Sequence, residues 1–573
     1  MKKYLLSIIA LAVPFLNFAQ ETEDVGLDQK IDQAFQPVAD FFTNVIFFPI
    51  YQDDVYTIPF VLVLLVGSAL FFTIYFGFPN IRYFWTAINT VRGKYEDIEK
   101  HGAAELYGED GIAQGQDLSN VNIEEHLDKV EEKLASNNDL AIDGDIVDTI
   151  RDESSDGEVS HFQALATAVS GTVGNGNIAG VALAIALGGP GATFWMIVCG
   201  LLGMSTKFVE CTLGVQYRDV GEDGTVYGGP MYYISKGLKS KGFKTFGKIA
   251  AGIFAVFCIG GSFGGGNAAQ SNQATIVIKE LFNWESTAAG AIVGLVLAAL
   301  VGIIIIGGIK RIAQVTEKVV PFMAVMYVAA CLYIILSNFS LIDDAVGLIV
   351  REAFNPTAFG VGSLIGVLLV GFQRAAFSNE AGAGSASIAH SAVKTKYSAS
   401  EGLVALLEPF IDTVLICTMT ALVIVIFNFG GFFEYGGDGS GVVYIDGQPL
   451  EGAGITSAAF AQYIPGSQIF LTIAVVLFAV STMISWSYYG LQSWKFLFGR
   501  GKTADLVYKL LFLTFVVIGA AASMGSIWAF SDAMIFAMIF PNMVGLFFLY
   551  PVVKKQLKRY LDAIKLKADA IED

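Results

Sequence analysis

A helix that crosses a bilayer wants roughly 20 uninterrupted apolar residues, and one stretch of this chain both meets and breaks that requirement. Residues 170–195 read SGTVGNGNIAGVALAIALGGPGATFW. The apolar run begins helically at Phe162-Gln163-Ala164-Leu165 and then meets Gly171, Gly174, Asn175, Gly176 and Asn177 at mid-membrane depth. Glycine is the poorest helix former after proline, and two asparagines there are costly without a ligand or partner. Unpaired backbone at that depth has to line a cavity or be buried by protein. Close helix packing through small residues accounts for the glycines but leaves both asparagines unexplained, which points to a binding site.

A second stretch answers the first. Residues 371–390, GFQRAAFSNEAGAGSASIAH, form another apolar segment, interrupted at Ser378-Asn379-Glu380-Ala381-Gly382-Ala383-Gly384. Two interrupted hydrophobic segments at corresponding places in two halves are the sequence pointer to a secondary transporter built from inverted repeats.

Composition bounds the class. The 573 residues are 54% hydrophobic and only 15% charged, which excludes an ordinary soluble globule and marks an all-α polytopic membrane protein. Runs of about 20 apolar residues, rather than alternating ten-residue strands, exclude a barrel. The net charge of −17 sits largely in an N-terminal tail and an insert between Tyr95 and Ser160, so it describes appendages. No basic patch with interleaved aromatics suggests nucleic acid. Cys199, Cys211, Cys258, Cys331 and Cys417 all fall inside expected spans and read as small apolar packers. With no HExxH, CxxC or nucleophile elbow, nothing points to an enzyme.

Taken in order, residues 1–19 have a basic start and a short apolar region, and read as a cleavable signal peptide or as a short uncleaved anchor. An acidic extracytoplasmic tail over 20–56 follows. Hydropathy then predicts about eleven spans: 57–78, the broken 162–188, 191–214, 248–276, 288–309, 319–337, the broken 359–391, 403–430, 467–490, 506–530 and 533–553. Alternate loops carry the basic residues: Arg82, Arg92 and Lys94, then Lys236 to Lys244, Lys310 and Arg311, Lys394 and Lys396, Arg500 and Lys502, and the tail from Lys554. The opposite loops hold little beyond Lys279 and Arg351. The positive-inside rule therefore puts the mature N-terminus outside and the basic 554–573 tail in the cytoplasm. The 79–160 loop carries the acidic insert, in which Glu124 to Leu134 reads as a short amphipathic helix. Asp143-Gly144-Asp145 matches a calcium loop only in part.

Four segments in this order resemble the alanine or glycine:cation symporters, the bacterial sodium–alanine symporters of the leucine-transporter-like fold. They are GTVGNGNIAGVA with GGPGATFW; KFVECTLGVQYRD with GGPMYY; FSNEAGAGSASIAH; and EPFIDTVLICTMTALVI. The resemblance runs from about Val159 to the end of the last span. One departure is Asn175, a longer amide where the family usually has threonine. The resemblance implies two inverted five-helix repeats, 161–338 and 359–553 joined by a connector over 339–358, plus one extra N-terminal helix. It also implies residence in the bacterial inner membrane. The activity implied is sodium-coupled transport of a small neutral amino acid, with sodium as the co-transported ion and no cofactor.

On that reading a carboxylate meets unwound N–H groups around Gly174, Asn175, Gly176 and Asn177 at a half-helix N-terminus. Exposed carbonyls and Asn379 accept from the ammonium group. Gln270 either hydrogen-bonds the ligand or ties two helices together. Trp486 walls the pocket, the alternative being an interfacial anchor; Phe377 caps it or simply packs. The resemblance places sodium between carbonyls of Ser170 and Val173 and the hydroxyls of Ser481 and Thr482.

Four ionisable residues inside spans are functional candidates by default. Lys207 and Glu210, three apart on one helix face, are expected to pair; Glu380 is expected either to pair with Arg374 or to steady the break. His390 reads as structural rather than as a proton relay. A proton-coupled version of the fold requires a span carboxylate at the ion site, where the sequence offers only hydroxyls. A membrane-bound amino-acid sensor is the alternative from another class.

Overall fold

The computed structural model describes residues 27–52, 57–103, 106, 149–150, 157–221, 224–286, 288–355, 364–437 and 439–572. The signal peptide, the 124–134 helix and the Asp143 region therefore lie outside the described residues. Helix α1 (Leu27–Ile46) precedes a two-stranded hairpin, β1 (Pro49–Gln52) with β2 (Thr57–Pro59), and α2 (Phe60–Tyr75). Part of the expected acidic tail is thus helical.

The first interrupted element is α3 (His161–Thr172) and α4 (Ala179–Gly188), which meet at 58°. Ser160 starts α3 through a reciprocal capping box with Gln163, which satisfies two orphan donors. Then come α5 (Gly191–Gln216), α6 (Lys244–Phe282), α7 (Ala289–Ile305) and α8 (Gly308–Ser337). The second interrupted element is α9 (Leu364–Asn379) with the short α10 (Ala386–His390). It is followed by α11 (Ser398–Asn428), α12 (Ser467–Phe498), α13 (Lys502–Ala521) and α14 (Met524–Glu572).

Among the described residues, seven helices are long and apolar enough to cross a bilayer, or eight counting the bent α3–α4 pair. The expected eleven spans require α2, α7 and α9 to cross as well. At 16, 17 and 16 residues and about 1.5 Å of rise each, these fall a few ångströms short of a 30 Å core. The expected 506–530 span is corrected: the chain breaks at Ala522-Ser523 and α14 begins at Met524. The basic tail is also no separate segment, because α14 runs on to Glu572 and docks Tyr560 on Glu99 (2.7 Å).

Two helices widen into π turns. In α6 three consecutive glycines open Gly264–Ala268. In α11 the turn is Phe410–Cys417, immediately after Pro409, whose missing N–H and ring disturb the regular ladder. Such widened turns cluster at functional sites. The interior packs α5 against α9 and α11, α3 against α8 and α12, and α4 against α9. Large apolar side chains such as Ile253, Val256, Leu295, Ile303, Phe322 and Val325 face outward, as lipid requires.

Candidate functional site

The two breaks meet in the interior. After α3, Gly174 is extended (φ −135°, ψ −154°) and Asn175–Asn177 form one 3-10 turn before α4 restarts. The freed backbone groups find side-chain partners, as buried polar groups must. Gly174 N–H donates to Asn177 Oδ1 (2.9 Å), and Asn175 N–H donates to Gln270 Oε1 (2.9 Å). Asn175 Nδ2 reaches the Gln270 carbonyl (3.2 Å), while Gln270 Nε2 satisfies the Gly265 carbonyl released by the α6 π turn (2.9 Å). Asn175 Oδ1, by contrast, is buried without a partner. Gly174 is required by proximity: a Cβ there would lie 2.5 Å from Thr482 Oγ1 and 2.9 Å from Gln270 Oε1.

Beside this turn α3 touches α12. Ser170 Oγ donates to the Ser481 carbonyl (2.7 Å) and Thr482 Oγ1 to the Ser170 carbonyl (3.0 Å). Ser481 Oγ donates to the Phe478 carbonyl (2.9 Å), and Val173 sits fully buried at the end of α3. Ser170, Ser481 and Thr482 are thus brought together from two helices, and Val173 caps the same helix end three residues past Ser170.

The second break is held by its own side chains. Glu380 adopts φ +55°, a conformation that a non-glycine residue rarely takes outside constrained sites. Its carboxylate accepts from Ser385 Oγ (2.5 Å) and Trp486 Nε1 (3.0 Å). Asn379 Oδ1 accepts from Ala381 N–H (3.0 Å) and its Nδ2 donates to Thr413 Oγ1 (2.9 Å). It therefore caps the break with the same atoms that were expected to serve a ligand. Trp486 lies flat on α6, where a Cβ on Gly266 would be 2.1 Å from its Cγ. Phe377 stacks on Trp528 (4.8 Å between centroids) and sits 3.6 Å from a Cβ placed on Gly176.

Between the breaks lies Asp412, a fully buried carboxylate in the α11 π turn. Asn177 Nδ2 donates to its Oδ1 (2.6 Å), and Ser378 Oγ (2.9 Å) and Thr413 Oγ1 (2.7 Å) to its Oδ2. The junction of the two breaks therefore contains a carboxylate that was not singled out from the sequence, and its bonds go to Asn177, Ser378 and Thr413 rather than to Ser170, Ser481 or Thr482. That carboxylate ties both breaks to one side chain. The signal was present as an ionisable residue inside the apolar run FIDTVLIC.

One expected ion pair is replaced, and of the two roles open to Glu380 it takes the second, steadying the break. Lys207 Nζ bonds Glu408 of α11 (3.0 Å), not Glu210, whose carboxylate takes Asn542 Nδ2 (2.7 Å). Glu210 is held by Asn542 of α14 instead, which leaves Glu408 to take the lysine. Arg374 pairs with Asp532 of α14, and its guanidinium lies 5.3 Å from the Trp528 ring centroid. The turned backbone at Glu380 points that carboxylate away from Arg374. His390 sits between Glu401 (2.5 Å) and Glu408 (3.7 Å). His161, at the start of α3, bridges Glu99 and Glu401. Acid and base thus alternate from Glu99 to Lys207 along one end of the bundle.

Residues 143–573 match the family model described as the sodium:alanine symporter family. The sodium/alanine symporter AgcS of Methanococcus maripaludis is 41% identical over 73% of this chain and 88% of its own length. The amino-acid carrier protein AlsT of Bacillus subtilis is 34% identical over 72% of this chain and 83% of its own. Among solved structures, MhsT in complex with L-phenylalanine aligns with 71% of this chain and 99% of its own at 13% identity and a TM-score of 0.48. The match across most of the chain and most of the relatives' own length settles its kinship: this chain belongs to the sodium:alanine symporter family.

Proposed function

We propose that the protein takes up a small neutral amino acid of the alanine or glycine type, driven by sodium, through alternating access. The observation that carries this reading is the meeting of the two breaks around Gln270, Asn175 and Asp412, far from bulk water. In this arrangement Gln270 Oε1 holds the Asn175 N–H that a substrate carboxylate would take, so a bound carboxylate displaces it. The unpartnered Asn175 Oδ1 then accepts from the ammonium group. Asn379 is committed to the break and drops out of that role. Trp486 and Phe377 border the chamber and limit side-chain size.

Sodium occupies the junction of Ser170, Val173, Ser481 and Thr482, where neutral hydroxyls and carbonyls suit a monovalent ion. Arg374–Asp532 and Phe377–Trp528 bar the chamber on the extracytoplasmic side; the Glu99–His161–Glu401 cluster bars it on the cytoplasmic side. Each sodium entering down 100 mV releases about 2.3 kcal/mol, enough for more than tenfold accumulation at about 1.4 kcal/mol per decade. No covalent chemistry is needed. The orientation adopted is the one set by the basic loops, in the inner membrane.

Asp412 gives a second reading, coupling to protons, its support: a buried carboxylate bonded to both breaks could carry a proton from there, although it does not touch the Ser170–Thr482 junction. Uptake of labelled alanine into proteoliposomes, with sodium replaced by choline, separates the two. Sodium coupling predicts that uptake collapses in choline; uptake sustained in choline by a proton gradient overturns it.

A further inference from the structure

Helix α1 lies before the region matched by the family model, which starts at residue 143, yet it is bound to the part of α14 that carries the outer barrier. Asp32 Oδ1 accepts from both the N–H (3.0 Å) and the hydroxyl (2.7 Å) of Ser523, the residue just before α14. Thr43 Oγ1 donates to the Ala529 carbonyl (3.3 Å). Phe35 is buried with its ring edge-on to Phe530 (5.1 Å), and Phe42 approaches the same ring (6.1 Å). Asp28 Oδ2 accepts from Gly290 N–H at the start of α7 (3.2 Å), which anchors α1 to a second helix. The same turn of α14 presents Trp528 to Phe377 and Asp532 to Arg374 on its inner side. One turn is thus gripped from outside by α1 and faces the chamber from inside.

We propose that α1 is a positioning strap for the outer gate, with Asp32 and Phe35 holding the 523–532 segment of α14 where Trp528 and Asp532 close the chamber. The proposal rests on the transport reading and its orientation. Opening outward has to move Trp528 off Phe377 and separate Asp532 from Arg374. Because helices move as rigid elements, that motion also pulls Ser523 and Phe530 away from Asp32 and Phe35. The strap therefore weights the closed arrangement, and weakening it raises the outward-open population without touching any chamber residue.

Cys417 supplies a native reporter: its thiol is buried beside Asn177, whose Nδ2 lies 3.3 Å away. The experiment uses the full chain in intact cells, with Cys199, Cys211, Cys258 and Cys331 replaced by alanine, and labels Cys417 with a membrane-impermeant thiol reagent. Asp32→Asn is expected to speed labelling about fivefold, the factor that one weakened hydrogen bond to a charged group brings to a two-state balance. Phe35→Ala is expected to speed it further, with sodium-dependent alanine uptake retained in both. Asp32→Glu keeps the charge and is expected to restore slower labelling. If Asp32→Asn labels at the parent rate, the strap role is overturned; that variant alone decides the matter should Phe35→Ala fail to assemble. Equal acceleration in a counterpart retaining only Cys331, buried in α8, indicates general loosening and overturns it too. If sodium plus alanine leaves labelling of the parent unchanged, the transport reading fails and takes the strap with it. Protection of the parent by sodium plus alanine, with strap variants unaltered, removes the strap alone.

Discussion

Asp412 is where single side chains carry the most consequence. A buried carboxylate needs hydrogen-bond donors or a cation, and here its donors come from both interrupted helices and its own π turn. Asp412→Asn keeps the shape and removes the charge. If the carboxylate contributes to cation coupling, the sodium concentration for half-maximal uptake rises by roughly tenfold or more, about 1.4 kcal/mol. Unchanged sodium dependence in a titration of alanine uptake assigns Asp412 to structure alone. The glycines of the first break offer an internal contrast. Gly174→Ala drives a methyl to 2.5 Å from Thr482 Oγ1, whereas Gly176→Ala meets only ordinary contacts at 3.6 Å. The first is expected to cut uptake about a hundredfold, in line with the effect of a 1 Å misplacement, and the second to leave it within about threefold. Equal rates for the two would remove the argument for close approach at Gly174.

At the scale of elements, the breaks were readable because glycine and asparagine at mid-membrane depth have few structural explanations. Their partners were not. Lys207–Glu408 and Arg374–Asp532 join residues on different helices, and spacing along one helix reveals only neighbours three or four apart. The π turns escaped for a related reason, since periodicity does not register one extra residue. Gln270 was legible as a polar residue in a span, but its role in closing the Gly265 carbonyl depends on the widened turn. Span ends at Ala522 and Glu572 were missed because the apolar run continues across the first and a docking contact prolongs the second. The buried pair leads to a stability prediction. Lys207→Met leaves the buried Glu408 charge only His390, 3.7 Å away, as a partner and is expected to cost about 3 kcal/mol, seen as a lower Tm of the purified protein. Adding Glu408→Gln removes that charge and should recover part of the loss. A double variant less stable than Lys207→Met alone contradicts the account of the pair.

For the whole molecule, the question is whether substrate and ion sites act as one. Ser170 belongs to the same helix end as Gly174, and Thr482, which bonds the Ser170 carbonyl, also lies against Gly174. Ordering either site therefore orders the other, and the coupling has to be reciprocal. Ligand that binds only the folded state stabilises by about 2.7 kcal/mol at a hundred times its Kd. Purified protein heated with each of the twenty amino acids, with and without sodium, is expected to gain most from a small neutral amino acid together with sodium. Either alone should shift Tm less than half as far, because each then has to order the shared turn by itself. Lithium or potassium in place of sodium should lose most of the joint gain if the ion site is selective. Additive shifts, with the amino acid equally effective in choline, would mean that the two sites do not share the Ser170–Gly174 turn as a common element, and the proposed coupling would have no physical carrier.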